Sequence, residues 1–176
     1  MIEALANSIR HDVAQEPALC RRLARVERNI MIHPNSNHWK AKADTVWSKL
    51  IRVAQMRCVI CGKAGMRNQD GLFTNGLQAH HLIGRAVLKY RYDFMNGACL
   101  CLTCHGAMPD RRNRRCAAHG TGIVYERFCK ELRVKQPEQW EWWEAHKDDR
   151  LPFIFTFQEA FETLKEDLKR TVEGVS

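Results

Sequence analysis

Apolar residues recur every three or four positions over most of this chain and alternate only near its middle. Ile2, Leu5, Ile9 and Val13 fall on one helical face. After Pro17 the spacing resumes with Leu19, Leu23, Val26 and Ile30, and Arg21, Arg22, Arg25 and Arg28 take the opposite, solvent-facing side. His33-Pro34-Asn35-Ser36-Asn37 reads as a turn. Trp39, Ala43, Val46, Leu50 and Val53 then predict a third helix, expected to pack on the module that begins at Cys58, with Trp39 and Trp47 as packing residues.

The pattern changes after Cys58. Residues 62–71 are polar and glycine-rich, hence a loop. Asn75-Gly76, between Leu72-Phe73 and Leu77, is the signal of a two-residue hairpin turn. Leu77 to Ile83 reads as a strand, 85–95 as an irregular basic connection, and Ala98 to Cys101 as a second strand. A short helix is expected from Leu102 to about Met108, stopped near Pro109. Helical spacing returns with Val124, Phe128 and Leu132, and again after Pro137 with Trp140, Trp143 and Lys147. Leu151 to Phe155 is an apolar stretch suited to docking. Thr156-Phe157-Gln158-Glu159 is a capping box that opens a last helix, with Phe157, Phe161, Leu164 and Leu168 on one face and Gly174 as its expected end. The pattern predicts an α+β chain, mostly helical, in three parts: a helical extension over 1–56, a small cysteine-rich core over 57–120 and a helical region over 121–176.

Charge sharpens this division. Residues 1–135 carry 23 Lys+Arg against 10 Asp+Glu, whereas 136–176 carry 5 against 10. A basic body points to a polyanionic partner. The acidic, tryptophan-rich tail is expected to pack back on the core rather than bind a partner. The flanking helices are expected to position the core or to form an interface with a second copy or another protein. No apolar run approaches the ~20 residues of a membrane span, and Met1 to Gln15 has no continuous apolar core of the kind a secretory signal carries. The expectation is a cytoplasmic protein without membrane contact.

Eight cysteines in such a compartment favour metal over disulfides. Cys58-x-x-Cys61 and Cys101-x-x-Cys104 are two turns that each bite a tetrahedral ion, and four thiolates close the sphere of a structural Zn²⁺. Cys99-x-Cys101 offers another spacing, but Cys101 and Cys104 match the first pair. Cys20, Cys116 and Cys129 read as buried apolar residues. A core this small buries too little apolar surface to hold itself, so the metal is expected to supply folding energy.

Between the two turns stand His80-His81 and Asn96, and His105 follows Cys104 directly. Hydrolysis of a phosphodiester needs a base to activate water, a cation to stabilise developing charge, and a group that holds the base in the right tautomer. Imidazole suits the first task near neutral pH. Adjacent residues on a strand point to opposite faces, so His80 and His81 can serve one site only where the strand ends or twists.

Taken in order, Cys58-x-x-Cys61, Leu77-Gln78-Ala79-His80-His81-Leu82-Ile83-Gly84-Arg85, and Arg91 to His105 with Asn96 inside it resemble the zinc-knuckle HNH endonucleases common in phages and prophages. The likeness covers about 50 residues. Lys42-Ala43-Asp44 and Ser48 to Arg52 are also similar to the helix before the knuckle in such phage proteins, including recombination nucleases of the NinG type.

The resemblance implies a ββα-metal (His-Me finger) core over 57–120 and metal-dependent cleavage of DNA. It implies His81 as general base, His80 and His105 as ligands of one divalent ion (Mg²⁺ or Mn²⁺, with Ni²⁺ or Zn²⁺ as further candidates), Asn96 as the brace of the loop, and Arg85 facing phosphate. Arg85, Lys89, Arg91, Arg111, Arg112, Arg114 and Arg115 are the expected grip on the DNA backbone. Relatives often place another His four residues after the last; Pro109 stands there, and His119 is a weaker substitute. Two other readings stay open: a structure-selective nuclease of the NinG type, and a zinc-dependent DNA-binding module without catalysis. Location in the cytoplasm of a bacterial host follows if the chain is phage-encoded.

Overall fold

The computed structural model describes residues 33–107, 123–149 and 155–175. The two predicted N-terminal helices, Cys20, Cys116, His119 and Arg111 to Arg115 lie outside the described residues, as does most of the Leu151–Phe155 stretch.

Helix α1 (Asn37–Gln55) carries the buried stripe Ala43, Trp47, Leu50, Ile51 and Val53, close to the predicted face. It ends at Met56, whose left-handed backbone (φ 51°) lets its N–H reach the Arg52 carbonyl. A first ribbon pairs β1 (Met66–Arg67) with β2 (Phe73–Asn75), both within or beside the stretch expected to be loop. A second pairs β3 (Leu77–His81) with β4 (Gly97–Cys101), antiparallel, from Leu77 opposite Cys101 to His81 opposite Gly97.

Asn75-Gly76 therefore does not close a hairpin between its neighbours. Gly76 (φ 79°) turns the chain out of one ribbon into the next. The physical reason is burial. Leu77, Ala79 and His81 alternate inward and β4 is buried along its length, whereas Phe73 and Asn75 are exposed. Pairing with β4 encloses more apolar surface than a local hairpin would.

Helix α2 (Leu102–Ala107) continues straight from β4. Helix α3 (Ile123–Lys135) buries Phe128 and Leu132, and α4 (Pro137–His146) starts on its proline. Helix α5 (Phe157–Val175) opens on the predicted box: the Thr156 N–H donates to Glu159 at 2.7 Å and the Glu159 N–H to Thr156 Oγ1 at 3.1 Å. It ends at Val175, one residue past the expected Gly174.

α5 lies alongside α1 in the same direction. The Phe157 N–H donates to Asn35 Oδ1 at 3.1 Å, and the Phe161 ring sits 5.5 Å from that of Trp39. The acidic tail thus packs back onto the body. Leu50 and Ile51 of α1, Leu100 of β4, Leu132 of α3 and Leu164 of α5 share one core, so all three predicted segments contribute to it. The fold is α+β and mostly helical. No helix among the described residues is long and apolar enough to cross a membrane.

Two features hold β4 in place. Gly97 passes so close to α1 that a Cβ there would overlap Ile51 and crowd Trp47. Side chains also complete the ladder on the outer edge of β4. Gln55 takes the Cys99 N–H on Oε1 and gives Nε2–H to the Gly97 carbonyl, both at 2.7 Å. Gln139 of α4 donates to the same carbonyl at 2.7 Å, and the Val59 N–H caps the Cys99 carbonyl at 2.9 Å.

Candidate metal centre and histidine site

The first cysteine turn follows α1. Cys58 N–H donates to the Lys63 carbonyl at 2.9 Å and Gly62 N–H to the Cys58 carbonyl at 2.8 Å, which curls Cys58 and Cys61 around one point. The second turn is the joint of β4 and α2, where the Cys104 N–H donates to Cys101 Sγ at 3.5 Å. The sulfurs of Cys58, Cys61, Cys101 and Cys104 all lie within 4.8 Å of one another, and Cys61 and Cys101 are 3.8 Å apart. Four thiolates on a tetrahedral ion at about 2.3 Å stand about 3.8 Å apart, so these residues fit zinc.

Burial pushes the Cys61 and Cys104 thiols up. Burial acts the same way at Cys101, but the Cys104 N–H and the neighbouring thiols outweigh it and bring Cys101 down to about 7. Cys99, fully buried, is pushed up to about 12 by that burial and lies outside the cluster. Lys135, at the end of α3, donates to the Val59 carbonyl at 2.8 Å and ties the first turn to the helices.

The strand alternation separates the two adjacent histidines. His80 faces α2 and α3: its ring stands 5.5 Å from that of His105, nearly perpendicular, and 5.7 Å from Phe128. Two imidazoles bound to one ion at about 2.1 Å stand roughly 5 Å apart centre to centre, so the His80–His105 pair has the spacing of shared ligands.

His81 faces α1. It is 5% exposed and stacks on Trp47 with ring centres 3.8 Å apart and planes 19° from parallel. Its Nε2 lies 2.9 Å from the Arg91 carbonyl, and Arg85 Nε lies 3.4 Å from its Nδ1. A carbonyl only accepts and a guanidinium only donates. Both contacts therefore require the same tautomer, with the proton on Nε2 and the lone pair on Nδ1.

Asn96 is fully buried between these parts. Its Oδ1 accepts the Ile83 N–H at 2.6 Å, and its Nδ2 donates to the carbonyls of Ile83 at 3.1 Å and Tyr90 at 2.7 Å. The backbone adds Leu82 N–H to the Asn96 carbonyl at 2.9 Å. The loop that leaves the histidine pair is clamped to the start of β4 by one amide.

Arg91 is inside the molecule, not on its surface. Its side chain is 7% exposed and forms a two-toothed pair with Asp44 of α1, at 2.9 and 2.7 Å, while Nη1 donates to the Arg85 carbonyl at 2.9 Å. Burial works against its charge, but the Asp44 carboxylate more than reverses this and raises its pKa. A side chain so closed to water does not reach outward as the expected DNA grip requires. Arg85 is exposed, and the half-buried Lys89 has Nζ 4.9 Å over the Tyr90 ring. Tyr90 and Tyr92 pack: Tyr90 bonds Asp149 and touches Trp142, and Tyr92 meets Phe157 edge-on at 6.3 Å.

The structure thus gathers Cys58, Cys61, Cys101 and Cys104 into one cluster, His80 with His105, and His81 with Asn96, Arg85 and Arg91. Sequence reasoning assigned no role to the Asp44 carboxylate and took Trp47 as packing only. The signal for Asp44 was an isolated acid among Lys40, Lys42, Lys49 and Arg52 on one helix, three residues before a buried tryptophan. Comparison with protein-family models, curated proteins and solved structures gives no match.

Proposed function

We infer that the chain is a zinc-stabilised, metal-dependent HNH endonuclease that hydrolyses DNA phosphodiesters on a ββα-metal core made of β3, β4 and α2. The observation that carries this is the state of His81: its proton is assigned to Nε2 by a backbone carbonyl, which leaves Nδ1 with the lone pair a general base requires. His81 takes the proton from the attacking water. Arg85, whose Nε–H rests on that nitrogen, is a cation beside the incoming phosphate.

His80 and His105 are the residues that would hold a divalent ion, and such an ion supplies charge stabilisation at the phosphate and the leaving oxygen. β3 ends at His81, the place where adjacent histidines can serve one site, and this supports the reading. DNA is the proposed partner through the basic body, in the cytoplasm of a host cell.

The test is incubation of plasmid and branched DNA with the protein in Mg²⁺, Mn²⁺, Ni²⁺ or Zn²⁺, with His81→Ala alongside. The wild type is expected to nick or cut in at least one metal, and His81→Ala to lose about 100-fold or more. Metal-dependent cleavage that persists unchanged in His81→Ala would remove the base assignment. Preference for branched over linear DNA would favour the NinG-type reading. Binding without cleavage in every metal would favour a zinc-dependent DNA-binding module, for which a buried, stacked His81 is also suited.

A further inference from the structure

The carbonyl that orients His81 belongs to Arg91, and a loop carbonyl is only as fixed as the residue that bears it. Arg91 sits in the irregular stretch between β3 and β4, just after the 3₁₀ turn Leu88–Tyr90. Its side chain makes it rigid. Three of its guanidinium contacts are set, two to the Asp44 carboxylate and one to the Arg85 carbonyl, in a site where Arg91 is almost closed to water. A planar fork on a carboxylate fixes direction as well as distance.

Asp44 and Trp47 lie three apart on α1 and so face the same side. Trp47 provides the plate under the His81 ring and donates Nε1–H to the Asp93 carbonyl at 3.0 Å, two residues beyond Arg91. One helix face thus holds the ring from below and the loop that directs it from the side.

We propose that Asp44 is a positioning residue for the cleavage reaction, acting through Arg91 to fix the carbonyl that assigns the proton and the orientation of His81. Both of its carboxylate oxygens are taken by the Arg91 guanidinium, which carries its effect to His81. Its role rests on the nuclease reading, but the orientation it imposes can be measured without turnover.

The experiment uses the full chain loaded with zinc, as wild type, Asp44→Asn, Asp44→Glu, His81→Ala and the double variant Asp44→Asn/His81→Ala. Asp44→Asn is expected to lower kcat by about 10- to 100-fold, the usual cost of removing a group that orients a reacting side chain, with KM changed by less than about twofold. Asp44→Glu, which keeps the carboxylate, recovers most of the loss. In the His81→Ala background Asp44→Asn adds nothing, because a residue that acts only through His81 has no further effect once His81 is gone. Long-range ¹H–¹⁵N NMR is expected to show the Nε2–H tautomer of His81 in the wild type and a mixture in Asp44→Asn.

A zinc-loaded Asp44→Asn protein with unchanged kcat would overturn the proposal, as would an equal loss in the His81→Ala background. If the wild type cleaves no DNA, the nuclease reading fails separately, and an unaltered His81 tautomer in Asp44→Asn then refutes the positioning role by itself. Should Asp44→Asn fail to take up zinc, Arg91→Lys, which keeps the charge but loses the fork, is measured in the same way with the same expected and refuting results.

Discussion

At the scale of single residues the site depends on side-chain amides that stand in for peptide groups. Asn96 is the clearest case, since one carboxamide meets an N–H and two carbonyls with no exposure to water. Asn96→Ala would leave the Ile83 N–H and carbonyl buried without that partner and the Tyr90 carbonyl with only the Asp93 N–H. It is expected to cost about 2–4 kcal/mol in urea unfolding, because each unsatisfied buried group carries a penalty of order 1–3 kcal/mol and relaxation recovers part of the sum. A loss below about 0.5 kcal/mol would mean that the loop holds itself. Asn96 was legible in the sequence by resemblance. Gln55 and Gln139 were not, because an amide in a helix has no periodicity of its own and its partners lie 42 to 44 residues away.

Among elements, the decisive contact is α1 against β4. It is tight enough that only a glycine fits at position 97, where a methyl group would meet Ile51 and then Trp47. Gly97→Ala is expected to destabilise by about 1–3 kcal/mol through overpacking. Ile51→Ala, which removes the atoms in the way, is expected to destabilise less in the Gly97→Ala background than in the wild type; thermal or denaturant unfolding of the four proteins checks this. An additive pair would show that the two do not meet.

Helix existence was readable because each stripe is long and regular: the faces of α1, α3 and α5 and the Thr156–Glu159 box follow from spacing alone. The pairing of strands was not. Asn75-Gly76 is a strong local turn signal, yet the partner of β3 was decided by burial 16 to 24 residues downstream, at β4. Local chemistry fixes where a chain bends and says little about which strand it then meets. The two CxxC turns were legible by spacing and the histidine pair by order. The Asp44–Arg91 pair was hidden because a lone acid on a basic helix looks like any solvent-facing counter-charge.

For the molecule as a whole, the cysteine cluster is the knot between α1, β4 and α2, and Cys104 is followed directly by His105. Stripping a bound zinc with a chelator is expected to lower the melting temperature and abolish cleavage together, since His105 loses its place opposite His80. Calorimetry and a cleavage assay on the same stripped sample decide it; a folded, zinc-free protein with normal activity would break the coupling. The same knot has a consequence for solubility. A sheet edge with bare rungs is a template on which another chain can add a strand. Here the rungs at Gly97 and Cys99 are covered by Gln55, Gln139 and Val59. Val59 lies inside the first cysteine turn, so that cover lasts only while the turn is folded. Metal starvation would thus bare the Cys99 rung of β4 and favour clumping at the same time as it displaced His105.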